Sequence, residues 1–134
     1  MSEFDTTPSA PQSVAVIGAS RTRHKYGNKA VRAYLDQGYR VFPINPRGGE
    51  IEGCQVYRTL EELPVESVDL VSMYVHPEVG IELLESIAQL HPHEVWLNPG
   101  SESDELIAQA RELQLPIIQA CSIISLGRSP SEYR

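Results

Sequence analysis

Short apolar runs alternate with longer amphipathic stretches from residue 13 to residue 119. The apolar runs predict five buried strands at 14–17, 40–44, 68–75, 94–97 and 116–119. Between them, apolar positions recur every three or four residues, which predicts helices at 28–37 and 77–90 and a third helix that is capped by Ser101 and extends to Leu113. This order is typical of an α/β fold. We expect a Rossmann-like, doubly wound, five-stranded parallel sheet with helices on both faces.

Turn-forming residues divide the chain further. Gly18 ends the first strand, Gly38 ends the first helix, and Asn45-Pro46 stops the second strand. The segment 50–57 fits either a minor strand or a loop. We expect one domain at 13–126, between a flexible N-terminal tail at 1–12 and a polar C-terminal tail at 127–134.

Four predicted loops meet at one edge of such a sheet. They lie at 18–20, 44–46, 74–76 and 98–101, each after a strand. Ligands of doubly wound sheets bind beyond the carboxyl ends of the strands, near the point where the strand order reverses. The candidate binding site is therefore this edge, and it includes Asn98 and Gly100.

The charge distribution narrows the class of ligand. The 134 residues carry a net charge of −7, which disfavours nucleic acid as a partner. Residues 21–47, however, hold seven basic side chains and one acidic side chain, a pattern that attracts a small polyanion. No apolar run is long enough to span a membrane, and the first residues lack the features of a secretory signal. Cys54 and Cys121 match neither a disulfide framework nor a zinc spacing, so we expect a cytoplasmic protein without a metal.

The loop after the first strand is a candidate phosphate site. A dinucleotide-binding pattern beginning at Gly18 would need glycines where Ser20 and Arg23 stand. The loop is longer and basic instead, but its backbone amides and the following helix N-terminus can hold phosphate oxygens, assisted by Arg21 and Lys25. Gly18 itself is expected to bring the backbone close to a diphosphate.

The end of the second strand bears on the choice of nucleotide. NAD sites usually place an acidic residue there, whereas this chain has Asn45-Pro46-Arg47. That difference leaves NADP and coenzyme A, each with a phosphate on the ribose, and local chemistry does not separate them. Arg47 is the candidate partner of that phosphate.

Several segments together resemble the small CoA-binding proteins that are similar to the CoA-binding domain of the succinyl-CoA synthetase α-subunit. They are Val14 to Ser20, Tyr26-Gly27, Gly38 to Pro46, Ile51-Glu52-Gly53, Tyr57 to Leu63, Val68 to Val71, Trp96-Leu97 and Cys121, within 14–124. The resemblance implies that Gly18, Ala19 and Ser20 lie at the diphosphate of CoA. It also implies that Pro43, Asn45 and Pro46 flank the adenosine, and that Tyr74 and Val75 pack beside the adenine or the start of the pantetheine arm.

The chain departs from the family pattern where the pantetheine thiol would lie. It has Trp-Leu-Asn-Pro-Gly at 96–100 instead of Trp-Leu-Gln-x-Gly, and Gln-Ala-Cys at 119–121 instead of Asn-Arg-Cys. No nucleophile elbow, Ser-His-Asp order or kinase-type loop is present in the sequence. The leading hypothesis is a CoA-binding or acyl-CoA-binding carrier, sensor or regulatory module with unknown protein partners. The alternatives are an NADP-dependent reductase, an acyl- or thiol-transfer enzyme using Cys121, and an interaction protein with a decayed nucleotide site.

Overall fold

A computed structural model describes residues 11–134, and the first ten residues of the predicted N-terminal tail lie outside the described residues. Five strands form one parallel sheet: β1 (Ser13–Ile17), β2 (Arg40–Ile44), β5 (Leu70–Met73), β6 (Glu94–Leu97) and β7 (Ile117–Ile118). Their order is β2-β1-β5-β6-β7, which confirms the predicted fold class. The third and fifth strands are shorter than the apolar runs that predicted them.

Helices cover both faces of this sheet. On one face lie α1 (Tyr26–Asp36) and the short α4 (Ser122–Ser125), and on the other lie α2 (Pro77–Gln89) and α3 (Asp104–Glu112). Side chains of β1 alternate between the two cores: Val14 and Val16 pack towards α1, and Ala15 and Ile17 pack towards α2. A parallel strand buried on both faces needs a continuous apolar run, which explains the sequence of β1.

The ambiguous segment after β2 folds as a hairpin of β3 (Glu50–Ile51) and β4 (Cys54–Gln55). Glu52 and Gly53 both have positive φ, as a tight two-residue hairpin turn requires. Beyond the hairpin, the Tyr57 amide donates to the Pro43 carbonyl at 2.9 Å, so this segment covers the outer edge of β2. Pro43 is tolerated because β2 is an edge strand of the sheet.

The C-terminal residues, expected to form a polar tail, pack against α1. A 3₁₀ turn at Pro130–Glu132 is closed by a capping box between Ser129 and Glu132. Tyr133 after it is only 6% exposed and belongs to the core beside α1. None of the described helices has the length and apolar character needed to cross a membrane.

Candidate functional site

A cleft of about 960 Å³ opens at the carboxyl ends of β1 and β5. The strand order reverses between these two strands, since β2 lies on one side of β1 and the later strands lie on the other. The cleft therefore occupies the switch point at which doubly wound sheets bind ligands. Its lining consists of Gly18, Ala19, Ser20, His24, Lys25, Tyr26, Gly27, Asn45, Tyr74, Val75, His76, Val79, Pro99, Gly100, Ser101, Cys121, Ile124 and Pro130.

Gly18 lies where three strand ends converge. Its amide donates to the Ile44 carbonyl at 3.2 Å, and its φ is +88°. A Cβ at this position would lie 2.5 Å from the Tyr74 carbonyl oxygen. Sequence reasoning assigned this space to a diphosphate, but the structure fills it with the backbone at the end of β5. Glycine is therefore required here by the fold itself.

Gly27 explains why the dinucleotide pattern is incomplete. It is buried in the first turn of α1, and a Cβ there would collide with the Gly18 carbonyl oxygen. In dinucleotide-binding folds, the third glycine of the pattern permits this close packing of helix on strand. In this chain Gly27 serves that purpose, four residues beyond the expected position, because the intervening loop is longer.

Side-chain amides hold the carbonyl groups of the loop at 19–25. Asn45 Nδ2 donates to the Ala19 carbonyl at 2.8 Å, and Asn28 Nδ2 donates to the Ser20 carbonyl at 2.9 Å. A trans peptide directs its N–H opposite to its C=O, so the amides of Ser20 and Arg21 point away from these donors. Within residues 11–134, neither amide donates a hydrogen bond. Such amides can donate hydrogen bonds to a bound anion.

The cations of the basic stretch are distributed unevenly around the cleft. Lys25 lines it beside the imidazole of His24, and the first turn of α1 holds no acidic residue that would oppose an anion. Arg21 donates to the Gly48 carbonyl instead, and Arg23 lies 4.0 Å from Glu52. The anion-attracting charge in the cleft therefore comes from fewer side chains than the sequence contains.

The cleft also carries apolar groups that face solvent. Tyr26 is 57% exposed, Val79 is 46% exposed and Ile124 is 63% exposed, and all three line the cleft. Val75 and Pro130 continue this apolar lining. Exposed apolar side chains grouped in one concavity mark a binding surface. The cleft thus combines an amide-rich, basic loop with an apolar wall.

Tyr74 lines the cleft but keeps its hydroxyl in the interior. Its hydroxyl oxygen is buried and has no hydrogen-bond partner among the described residues. Burial raises the pKa of Tyr74 well above its usual value, and Cys121 and Tyr34 raise it further. Ser72 and Ser122 lie close enough to oppose this effect, although neither meets the geometry of a hydrogen bond to Tyr74. The phenol therefore stays protonated.

Asn98, predicted as a ligand contact, is instead part of the interior. It is 1% exposed, and its Nδ2 donates to Ser72 Oγ and to the Met73 carbonyl, both at 3.0 Å. Its Oδ1 accepts from the Ser122 amide at 2.8 Å. The amide joins β5, the loop after β6 and the start of α4, and it therefore positions the neighbouring Cys121 at the cleft.

The serines after β6 also differ from expectation. Ser101 was expected to cap the third helix, but its hydroxyl donates to the Met73 carbonyl at 3.1 Å beside the cleft. Ser103 is the N-cap of α3 and accepts from the Leu106 amide at 3.1 Å.

The structure brings together nine of the fourteen predicted site residues in the cleft lining: Gly18, Ala19, Ser20, Lys25, Tyr26, Asn45, Tyr74, Val75 and Gly100. The other five lie outside the lining: Arg21, Pro43, Pro46, Arg47 and Asn98. Pro43 is buried within β2, and Pro46 and Arg47 are exposed beyond its end.

Sequence reasoning missed several lining residues. Ile124 and Pro130 come from the C-terminal segment, whose position no local pattern indicates. His76, which belongs to the predicted loop at 74–76 but was not a predicted ligand contact, precedes α2 without capping it through its side chain, and it lines the cleft together with Val79. Val79 is an apolar residue on the solvent-facing side of an amphipathic helix, and this pattern could have indicated a binding surface.

Two known proteins illustrate what this chain is similar to in sequence. The α subunit of ADP-forming acetate–CoA ligase I of Pyrococcus furiosus is 36% identical over 85 residues, which are 59% of this chain but only 18% of that subunit. An uncharacterised Bacillus subtilis protein, YneT, is 26% identical over 103 residues, covering 74% of this chain and 73% of that protein.

The fold is shared with known structures. A conserved hypothetical protein from Pyrococcus furiosus superposes with a TM-score of 0.76 at 31% identity, covering 85% of this chain and 98% of that protein. The family model described as a CoA binding domain matches residues 12–127, which include every element that builds the cleft up to α4. The chain therefore belongs to the CoA-binding domain family, as the sequence resemblance implied.

Proposed function

We propose that this chain binds coenzyme A or an acyl-CoA in the cleft, as a carrier, sensor or regulatory module that performs no chemistry of its own. The observation that supports this proposal most strongly is that the same cleft contains an amide-rich, basic loop and a solvent-facing apolar wall. CoA has both characters, with an ADP portion and a long, weakly polar pantetheine arm. The acetate–CoA ligase relatives, which act on CoA, align with part of this chain.

The proposed adenylate end is the loop at 18–25. The diphosphate accepts hydrogen bonds from the amides near Ser20 and from the N-terminus of α1, with Lys25 as the cation. The adenosine lies between Asn45 and Tyr74, at the ends of β2 and β5. Arg47, exposed just beyond β2, meets the 3′-phosphate of the ribose at the rim of the cleft.

The proposed pantetheine end is the apolar wall. Val79 and Ile124 cover the aliphatic parts of the arm. Burial of such exposed side chains by a ligand stabilises the complex by about 25 cal/mol for each Å² of apolar surface. We also place the protein in a reducing cytoplasm, where Cys54 and Cys121 remain free thiols.

Titration calorimetry with ligand-free protein tests this proposal. CoA is expected to bind more tightly than NADP or NAD, and more tightly than dephospho-CoA by about 1–3 kcal/mol, because a charge-assisted contact to the 3′-phosphate is lost. Arg47→Gln should remove the difference between CoA and dephospho-CoA while leaving dephospho-CoA binding unchanged. Tighter binding of NADP would contradict this proposal and favour the reductase alternative.

Cys121→Ser separates a binding module from a thiol enzyme. Cys121 lines the cleft, yet no hydrogen bond within residues 11–134 joins its thiol to His24 or His76. The variant should keep its CoA affinity within about tenfold, or about 1.4 kcal/mol. Cys54→Ser is the matched control, because burial and Glu52 raise the pKa of Cys54 and keep that thiol protonated outside the cleft.

The same pair of variants tests covalent chemistry by intact-mass spectrometry. Wild-type protein purified with reductant should show its own mass alone. A stoichiometric CoA adduct that disappears in Cys121→Ser but persists in Cys54→Ser would contradict the proposal of a passive binder.

A further inference from the structure

Three polar side chains repeat at four-residue intervals along α1. Asn28, Arg32 and Asp36 therefore lie on one side of the helix, in a polar stripe. Asn28 is fully buried, and its Nδ2 also donates to Glu52 at 3.1 Å. The polar stripe extends from the phosphate-loop candidate at one end to the packed C-terminal residues at the other.

Arg32 uses its whole guanidinium within the protein. Nε donates to Asn28 Oδ1 at 2.8 Å, and Nη2 donates to the Arg23 carbonyl at 2.7 Å. Nη1 donates to the Arg134 carbonyl at 3.0 Å. A guanidinium whose three nitrogens already donate to acceptors within the protein is poorly placed to bind a phosphate as well. Arg32 instead ties the loop before α1 to the C-terminal residues.

The contact with Arg23 has a consequence for the loop. Because the Arg23 carbonyl is held by Arg32, the amide of His24 points away from the polar stripe. Arg32 also holds Asn28, which in turn holds the Ser20 carbonyl. Both carbonyls are thereby kept on the helix side, and the amides that follow them are left for an anion.

The C-terminal residues hold Arg32 from the other side. The Tyr133 ring centroid lies 5.5 Å from the guanidinium carbon, a cation–π distance. The Tyr133 hydroxyl donates to Asp36 at 3.0 Å, which closes the polar stripe. Pro130, three residues earlier, lines the cleft.

We infer that Arg32 is a positioning residue for phosphate binding, and that Tyr133 sets the affinity of the cleft by holding Arg32 in place. Neither side chain lines the cleft. The inference rests on the proposed function, because it assumes that the loop at 20–24 receives the phosphates of CoA. It makes the C-terminal segment part of the binding apparatus.

Arg32→Lys, Tyr133→Ala and the double variant test the inference, each examined by CoA titration and by amide hydrogen exchange of the ligand-free protein. Arg32→Lys keeps the positive charge but loses the planar guanidinium that donates to three acceptors, so CoA affinity should fall about tenfold. The 3′-phosphorylated ADP fragment of CoA should lose the same factor. Exchange of the Thr22 and Lys25 amides, which donate to Ser20 Oγ and to the Thr22 carbonyl, should accelerate while exchange in β1 and β5 stays unchanged. Tyr133→Ala should act in the same direction, and the double variant should lose less than the product of the two factors.

Arg40→Lys is the matched control, since Arg40 packs over Phe42 at the start of β2, away from the cleft. It should change neither measurement. Wild-type affinity and loop exchange in Arg32→Lys, or multiplicative effects in the double variant, would overturn the inference. If Arg32→Lys does not fold, Tyr133→Ala decides it in the same way. If wild-type protein binds no CoA, the proposed function fails, whereas the exchange comparison still decides the role of Arg32.

Discussion

Gly18→Ala is expected to lower the free energy of unfolding by about 3–5 kcal/mol, because strained backbone and a steric clash add at one position. The φ of +88° costs an L-residue about 1–2 kcal/mol. The remainder arises because a Cβ would lie 2.5 Å from the Tyr74 carbonyl oxygen, a backbone atom at the end of β5. Urea denaturation of the ligand-free protein measures the loss.

Gly38→Ala is the matched control for this prediction. Gly38 has a φ of +83°, but a Cβ there would meet no atom within 4 Å. The two variants share the backbone strain, so their difference isolates the contact with Tyr74. Equal losses of stability at the two positions would show that the backbone at the end of β5 shifts easily. Glycine would then be required at position 18 only for its positive φ.

Asn98→Ala is expected to destabilise the ligand-free protein by about 2–4 kcal/mol, since it leaves one buried backbone amide without a partner and creates a cavity. The Ser122 amide loses its acceptor inside the protein. Ser72 Oγ retains its contact with Ser122 Oγ at 2.8 Å, and the Met73 carbonyl retains Ser101. The cost therefore comes mainly from the Ser122 amide and from the cavity left behind.

Gln119→Ala supplies the comparison, because Gln119 is an exposed amide that follows β7. It should change the free energy of unfolding by less than about 0.5 kcal/mol. A direct ligand contact at Asn98 makes the opposite prediction, namely unchanged stability without ligand and weakened CoA binding. That outcome would restore the role expected from the sequence.

The sequence predicted the architecture well because parallel strands and amphipathic helices are encoded by local periodicity. The run from Val14 to Ile17 is apolar at every position, as a strand covered on both faces requires. The loops that follow β1, β2 and β5 could be placed at one edge because strand direction in a parallel sheet is determined by connectivity. Gly18 and Tyr74 were candidates on those grounds.

Side-chain direction was not accessible in the same way. Arg21 and Lys25 are both basic residues of one loop, yet the former contacts the Gly48 carbonyl and the latter lines the cleft. Asn98 follows a strand at the ligand edge, but its amide points inward, where Ser72 and Ser122 offer partners. Those partners lie 26 and 24 residues away in the chain, so no local pattern includes them.

By itself, the sequence determined the α/β class, the edge of the sheet that carries the cleft, and the family, since each depends on periodicity, connectivity or motif. Only the tertiary structure decided which side chains reach the cleft and which hold its loop. Arg32 shows the reason most clearly: it lies within the basic stretch, but two of its three acceptors come from the loop before α1 and from Arg134, 102 positions away. Hydrogen bonds between distant segments form only when packing brings those segments together, so the spacing of residues along the chain does not predict them.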